Sequence, residues 1–134
     1  MGGAQGTEMW SGEMLAAMKD LPEYSSIELI CVMPFKGHDS GWGDAGKRRL
    51  SQILSACDGL KYISLSRDLK AAKSYRYIVE NSNCLIAVYD VFRKPRCDIG
   101  RAVDNAKRRE LKIASIHPET AAVSYFNWEN EKPG

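Results

Sequence analysis

The residue pattern predicts an α/β protein of the Rossmann-like kind, a doubly wound, mostly parallel sheet with helices on both faces. Three observations carry that expectation. Short apolar runs rich in β-branched residues alternate with longer runs of helical periodicity. Single helices separate successive strands, which implies parallel pairing through right-handed crossovers. And the opening "GGAQGTEMW" places Gly2, Gly3 and Gly6 directly ahead of a helix, where backbone amides and the helix dipole favour an anion.

Each element has its own signal. Over Thr7 to Lys19, Met9, Trp10, Glu13, Met14, Ala17 and Met18 recur at helical spacing, and "LPEYSS" breaks the run. "IELICVM", Ile27 to Met33, is apolar, partly β-branched and closed by Pro34, so it reads as a buried strand. "PFKGHDSGWG" is a loop. Asp44 to Asp58 is a helix with Leu50, Ile53, Leu54 and Cys57 on its inner face. "LKYISLS", Leu60 to Ser66, is a strand, and Leu69 to Asn81 a helix. "CLIAVYD", Cys84 to Asp90, is the most strand-like run in the chain. After the loop "VFRKPR", Asp98 reads as the N-cap of a helix reaching about Glu110. "LKIASIH", Leu111 to His117, is the last clear strand. The tail carries Tyr125, Phe126 and Trp128, aromatics that predict packing for part of it.

Composition narrows the function classes. The length of 134 residues fits one domain, 1–134, with a core over 1–118 and a tail over 119–134. A net charge of +2 makes no global case for nucleic acid, a membrane or acidic partners. Lys47-Arg48-Arg49 and Lys107-Arg108-Arg109 fall on helices and read as solvated faces. None of the four cysteines forms a CxxC unit, so no metal site is expected. Cys31 and Cys84 read as buried thiols inside strands. Glu8 and Glu13 interrupt the early apolar stretch, which therefore does not read as a signal peptide. No apolar run approaches the ~20 residues of a membrane span. A cytoplasmic protein is the expectation.

In a doubly wound sheet the ligand sits beyond the carboxyl ends of the strands. That rule selects the opening turn, Pro34 to Gly43, Ser64 to Lys70 and Tyr89 to Asp98. Thr7 can cap the first helix or touch a phosphate oxygen, and Trp42, in a glycine-flanked loop, can stack on a base. Asp90 can accept from ribose hydroxyls or close a turn. His38 and His117 stand isolated and read as surface residues. No HxxxH, DxD or GxSxG unit is present.

Taken together these segments resemble the YpsA-type branch of the SLOG superfamily, Rossmann-like proteins related to DprA and LOG. "GGAQGTEMWSGE" resembles the family's "GGAxGxDxWAAE". "ICVMPFKGHDSGW" supplies the strand ending in Pro34-Phe35 and the later Trp42. "ACDGLKYISLS" and "IVENSNCLIAVYD" are similar to the family's "aDxvxyvS" and "mVdnSdxLIAvYD". The likeness runs from about Gly2 to Pro118. It implies a nucleotide or nucleotide-derived ligand, such as an ADP-ribose-like molecule, with no certain cofactor. The implied ligand residues are Gly2, Gly3, Gly6, Thr7, Glu8, Pro34, Phe35, Trp42, Ser64, Tyr89 and Asp90.

The chain also departs from the family. A strand–helix–strand unit, its first strand ending in a "TGxR"-like turn, precedes the glycine turn in the family and is expected to be missing here. Its loss predicts an uncovered apolar flank and a homo-oligomer. Ser74 and Tyr75 stand where the family has an Arg-Asn pair, with Arg76 one residue on. "RCDIG" replaces a Gly-Gly-Thr turn. Three functions follow: a nucleotide sensor or sequestering protein, a LOG-like hydrolase of a nucleotide's N-glycosidic bond using Glu8 or Glu13, or an assembly partner with a vestigial pocket.

Overall fold

The computed structural model describes residues 1–64, 71–90 and 98–128. Its elements run α1 (Thr7–Lys19), a 3-10 turn (Pro22–Tyr24), β1 (Ile30–Met33), α2 (Asp44–Ala56), β2 (Gly59–Tyr62), α3 (Ala71–Glu80), β3 (Cys84–Val88), α4 (Asp98–Arg108), β4 (Lys112–Ile116) and β5 (Val123–Phe126). The α/β order and the parallel pairings are as the periodicity predicts. The end of the predicted strand (65 and 66), the start of the predicted helix (69 and 70) and the predicted loop after Asp90 (91–97) lie outside the described residues, as do Cys97 and the tail beyond 128. The described strands form two sheets, β1-β2 and β3-β4-β5. They belong to two compact units, Met1–Ser74 and Tyr75–Gly134.

The first unit is built on β1 and β2, parallel and in register from Ile30 against Gly59 to Met33 against Tyr62. Beyond the ladder the amides of Ile63 and Ser64 still donate to the carbonyls of Met33 and Pro34. On the opposite edge of β1, the Met1 amine donates to the Ile30 carbonyl at 2.8 Å, and the Val32 amide donates to the Met1 carbonyl at 2.9 Å. That pair of bonds is a parallel bridge, so the glycine turn is launched from a strand position beside β1.

Strand β1 is shorter than the predicted Ile27 to Met33 because its entry is tied by a side chain. The Leu29 amide donates to Asp58 Oδ2 at 2.7 Å, and Lys19 bonds the same oxygen. Met9, Leu29, Cys31, Met33, Leu50 and Ile53 form the core between the strands and the helix pair. Gly12 lets α1 and α2 close: a Cβ there would lie 2.3 Å from Met1 Sδ and 3.0 Å from Ile53 Cγ2. Trp10 and Met14, on the other side of α1, are each 64% exposed. Helical spacing alone does not separate these two faces, because α1 is apolar on both.

In the second unit β4 is central. It pairs parallel with β3 and antiparallel with β5, with Ile113 against Phe126 and Ile116 against Val123. Trp128 Nε1 donates to the Ile113 carbonyl at 3.1 Å, and its ring meets Tyr125 edge-on. Part of the aromatic tail therefore packs, as its composition predicts: Trp128 is tied down, while Tyr125 and Phe126 stay exposed. Val79, Ala87, Val103, Ala106 and Ile113 make the core. Helix α4 ends with the amides of Glu110 and Leu111 bonded back to Lys107 and Ala106. Glu110 holds φ +58°, the left-handed turn more often given to glycine.

Cys84 corrects the expectation of a buried thiol: it is exposed. An all-apolar strand reads as covered on both faces, but α4 and the core cover only the side of Leu85 and Ala87. Ile86, on the same side as Cys84, is 73% exposed. Cys31 is fully buried, and burial next to Cys57 pushes its thiol up to about 11. Thiol chemistry follows thiolate population and access. Alkylation of the native protein, mapped by peptide mass, is expected to label Cys84 within minutes and to spare Cys31 until the chain unfolds. Equal labelling of both would contradict this core.

Candidate functional site

The glycine turn is the best-defined feature at the carboxyl end of β1. Gly2 and Gly3 are buried. A Cβ on Gly3 would fall 2.5 Å from Met33 Sδ and 2.9 Å from His38 Nε2, so a side chain there would have to displace both. Gly6 is the N-cap of α1 at φ 84°, ψ −125°, a conformation that is essentially glycine's own. No side chain caps this helix. Thr7 is its exposed first residue and does not act as the cap. Glu8 reaches back instead, accepting from the Ala4 amide at 2.8 Å through Oε2. One donor of the turn thus already holds an anionic oxygen.

The β1–α2 loop closes on this turn. The His38 ring lies with Nε2 2.8 Å from the Gly3 carbonyl. A carbonyl only accepts, so Nε2 carries the proton and the neutral ring presents Nδ1 as an acceptor. Phe35 and Trp42 meet the His38 ring edge-on at centroid distances of 6.3 and 5.3 Å. Pro34 is buried, and its carbonyl accepts from Ser64. Reading His38 as an isolated surface residue is corrected by these contacts. Nothing in the spacing of His38 signals its bond to Gly3, which is 35 residues away. A carbon at Gly46 would lie 3.2 Å from Gln5 Oε1, which brings the turn beside the first residues of α2 as well.

Glu13 is held elsewhere. Its two oxygens accept from Arg49 Nε and Nη2 at 2.6 and 3.0 Å, joining α1 to α2. The Arg49 hydrogen bonds hold the Glu13 carboxyl below its ordinary value of 4.5. Such a group stays ionised and is a poor proton donor near neutrality. Arg76, the substitute for the family's arginine, pairs with Glu80 on an exposed helix face. Ser74 is buried.

Tyr89 and Asp90 lie in the second unit, past the end of β3. The Tyr89 amide extends the ladder to the Ile116 carbonyl. Asp90 Oδ1 is 3.6 Å from His117 Nε2. His117 Nδ1 accepts from the amides of Glu119 and Thr120 at 3.1 and 3.3 Å. The ring is therefore bonded through Nδ1 and lies near Asp90, and His117 is not isolated as its sequence neighbourhood suggests. No group of His, Cys, Asp and Glu among the described residues could hold a metal ion. No helix among them is long and apolar enough to cross a membrane.

Parallel strands alternating with helices, with a glycine turn opening α1 beside β1, define a Rossmann-like α/β protein. The model of the YpsA SLOG family matches residues 1–121, and the chain belongs to that family. Among curated proteins it is similar to a UPF0398 protein of Listeria monocytogenes, 26% identical over 121 residues, 85% of this chain and 64% of the relative. A UPF0398 protein of Halalkalibacterium halodurans is 28% identical over 92 residues, 66% of this chain and 47% of the relative. One from Bacillus velezensis is 24% identical over 91 residues, 66% of this chain and 49% of the relative. The chain thus spans about half to two thirds of the length of these relatives.

The two carboxylates that tie helix α1 have an acid signature. Asp58 is held below its ordinary 3.8 by the Lys19 hydrogen bond and then by the Leu29 amide, and Glu13 is held down by Arg49. A depressed carboxylate contributes stability above its unfolded pKa and loses it as pH falls through the folded value. The melting temperature is expected to drop from about pH 5 downward, and to drop less in a Glu13→Gln/Asp58→Asn variant. Parallel pH profiles for parent and variant would contradict the two ties.

Proposed function

We propose that this protein binds a nucleotide or nucleotide-derived ligand at the glycine turn, as a sensor or sequestering protein. One observation carries the reading: Gly6, at φ 84°, opens α1 with no side-chain cap, while the turn's Ala4 amide already donates to a carboxylate oxygen of Glu8. A helix N-terminus approached by a glycine turn suits a phosphate oxygen, through its amides and dipole together. The aromatic rings of Phe35, His38 and Trp42 lie beside it. Family membership supports the reading. The bidentate tie of Glu13 to Arg49 favours binding over hydrolysis. The free thiols Cys31, Cys57 and Cys84 fit a reducing cytoplasm.

Titration with AMP or ADP-ribose is expected to quench or shift Trp42 emission, read in a Trp10→Phe/Trp128→Phe variant. Gly6→Val is expected to weaken that binding by about tenfold or more, since a β-branched residue resists φ > 0. The nucleotide should be recovered intact; release of free base would turn the reading to a hydrolase. Unchanged affinity in Gly6→Val would remove the turn from the site.

Self-association belongs to the same reading. Trp10 and Met14 on the first unit, and Ile86 and Tyr125 on the second, each expose 64–73% of their surface. Apolar side chains this exposed are most simply covered by a second copy about a two-fold axis. Light scattering at micromolar concentration is expected to give the mass of a dimer or larger. A monomeric mass would overturn this part.

A further inference from the structure

Beside the glycine turn, and sharing a wall with it, is a cleft of about 400 Å³ within the first unit. Gly37, His38 and Asp39 of its lining lie in the Pro34 to Gly43 segment that the sheet rule selects, and none of the lining residues is among the ligand residues that the resemblance implies. One wall is the α2 stripe of Leu50, Ser51, Leu54 and Ser55; the other is the loop Gly37–His38–Asp39, with Met33 and Tyr62 from the ends of β1 and β2. We propose that this cleft is a nucleoside subsite: it takes the uncharged sugar and base of a ligand whose anionic end lies on the glycine turn. The proposal rests on the nucleotide reading above and names which part of the ligand goes where.

The chemistry of the lining makes this division. His38 spends its Nε2 proton on the Gly3 carbonyl, so its neutral ring offers Nδ1 as an acceptor. The Asp39 carboxylate makes no hydrogen bond or ion pair with a described residue; only its backbone carbonyl is used, accepting from Trp42 at 2.9 Å. Ser55 donates its hydroxyl to the Ser51 carbonyl and keeps its lone pairs. The hydroxyls of Ser51 and Tyr62 are likewise unengaged among the described residues. The cleft thus offers one negative charge and several acceptors, with Leu54 as its accessible apolar side chain and the buried Met33 and Leu50 behind it.

A phosphate is repelled by such a lining, whereas hydroxyl and amino donors with a flat apolar face are suited to it. A sugar diol meets this requirement at Asp39, and a base does so against Leu54. The glycine turn has the opposite preference, through the amides and dipole of α1. His38 and Met33 border both, since each closes on Gly3 and each lines the cleft.

The test separates the two ends with probes that carry only one. Adenosine, guanosine, cytidine and uridine, which lack phosphate, are titrated into the full chain with amide resonances followed by NMR. Inorganic pyrophosphate is titrated separately. At least one nucleoside is expected to bind saturably and to shift Ser51, Ser55 and Tyr62. Ser51→Trp, which fills the cleft from an exposed helix position, and Asp39→Asn are each expected to weaken it by about tenfold. Pyrophosphate binding should survive both. The proposal is overturned if no nucleoside binds, or if binding persists unchanged in both variants. Nucleoside binding in the cleft without any pyrophosphate shift at Gly3 to Glu8 would uphold the subsite while removing the glycine turn as the anion site.

Discussion

The absence of a side chain at Gly3 is the constraint on which the first unit's candidate site depends. Met33 Sδ and His38 Nε2 both occupy the space where a Cβ would stand. Through His38 the β1–α2 loop is bonded to the turn, and through His38 again the rings of Phe35 and Trp42 are gathered at the end of β1. That same hydrogen bond fixes the imidazole tautomer, and with it the hydrogen-bonding character of the adjoining cleft. A larger residue would have to displace both of these side chains, and with them the His38 bond to the turn.

A second set of ties holds α1 and α2 at the distance the turn requires. Gly12 permits the close approach, and the Arg49–Glu13 pair spans it near the protein surface. Lys19 and the Leu29 amide converge on Asp58, so the end of α1, the start of β1 and the start of β2 meet at one carboxylate. Exposed ion pairs contribute little individually. Here their effect is positional: they fix where α1 begins, and therefore where its uncapped N-terminus lies. In the second unit the comparable organiser is β4, with β3 on one edge and the aromatic tail on the other.

Much of this was legible in the residue order. The helix Thr7–Lys19 has the predicted bounds, and every other predicted helix and strand recurs with shifted ends, because hydrophobic periodicity is a local property that survives folding. The shifts have local causes. β1 begins late because Asp58 takes the Leu29 amide, and α4 stops at Arg108 because Glu110 turns left-handed. The likeness of "GGAQGTEMW" and "CLIAVYD" to the YpsA family was also in the order of residues, and the family match over 1–121 agrees with it.

What the sequence by itself determined is therefore the alternation of elements, the glycine requirement of the opening turn and the family. Only the tertiary structure decided which carboxylates and imidazoles are engaged. Glu13 is committed to Arg49 and Glu8 to the Ala4 amide; His38 meets Gly3 and His117 meets Asp90. It also decided that Cys84 and Ile86 lie on an uncovered face while Leu85 and Ala87 lie on a covered one. The physical reason is the same in each case. Periodicity reports the face a residue occupies on its own element, but a hydrogen bond across 35 or 36 residues, or the presence of a covering layer, depends on where separate elements come to rest.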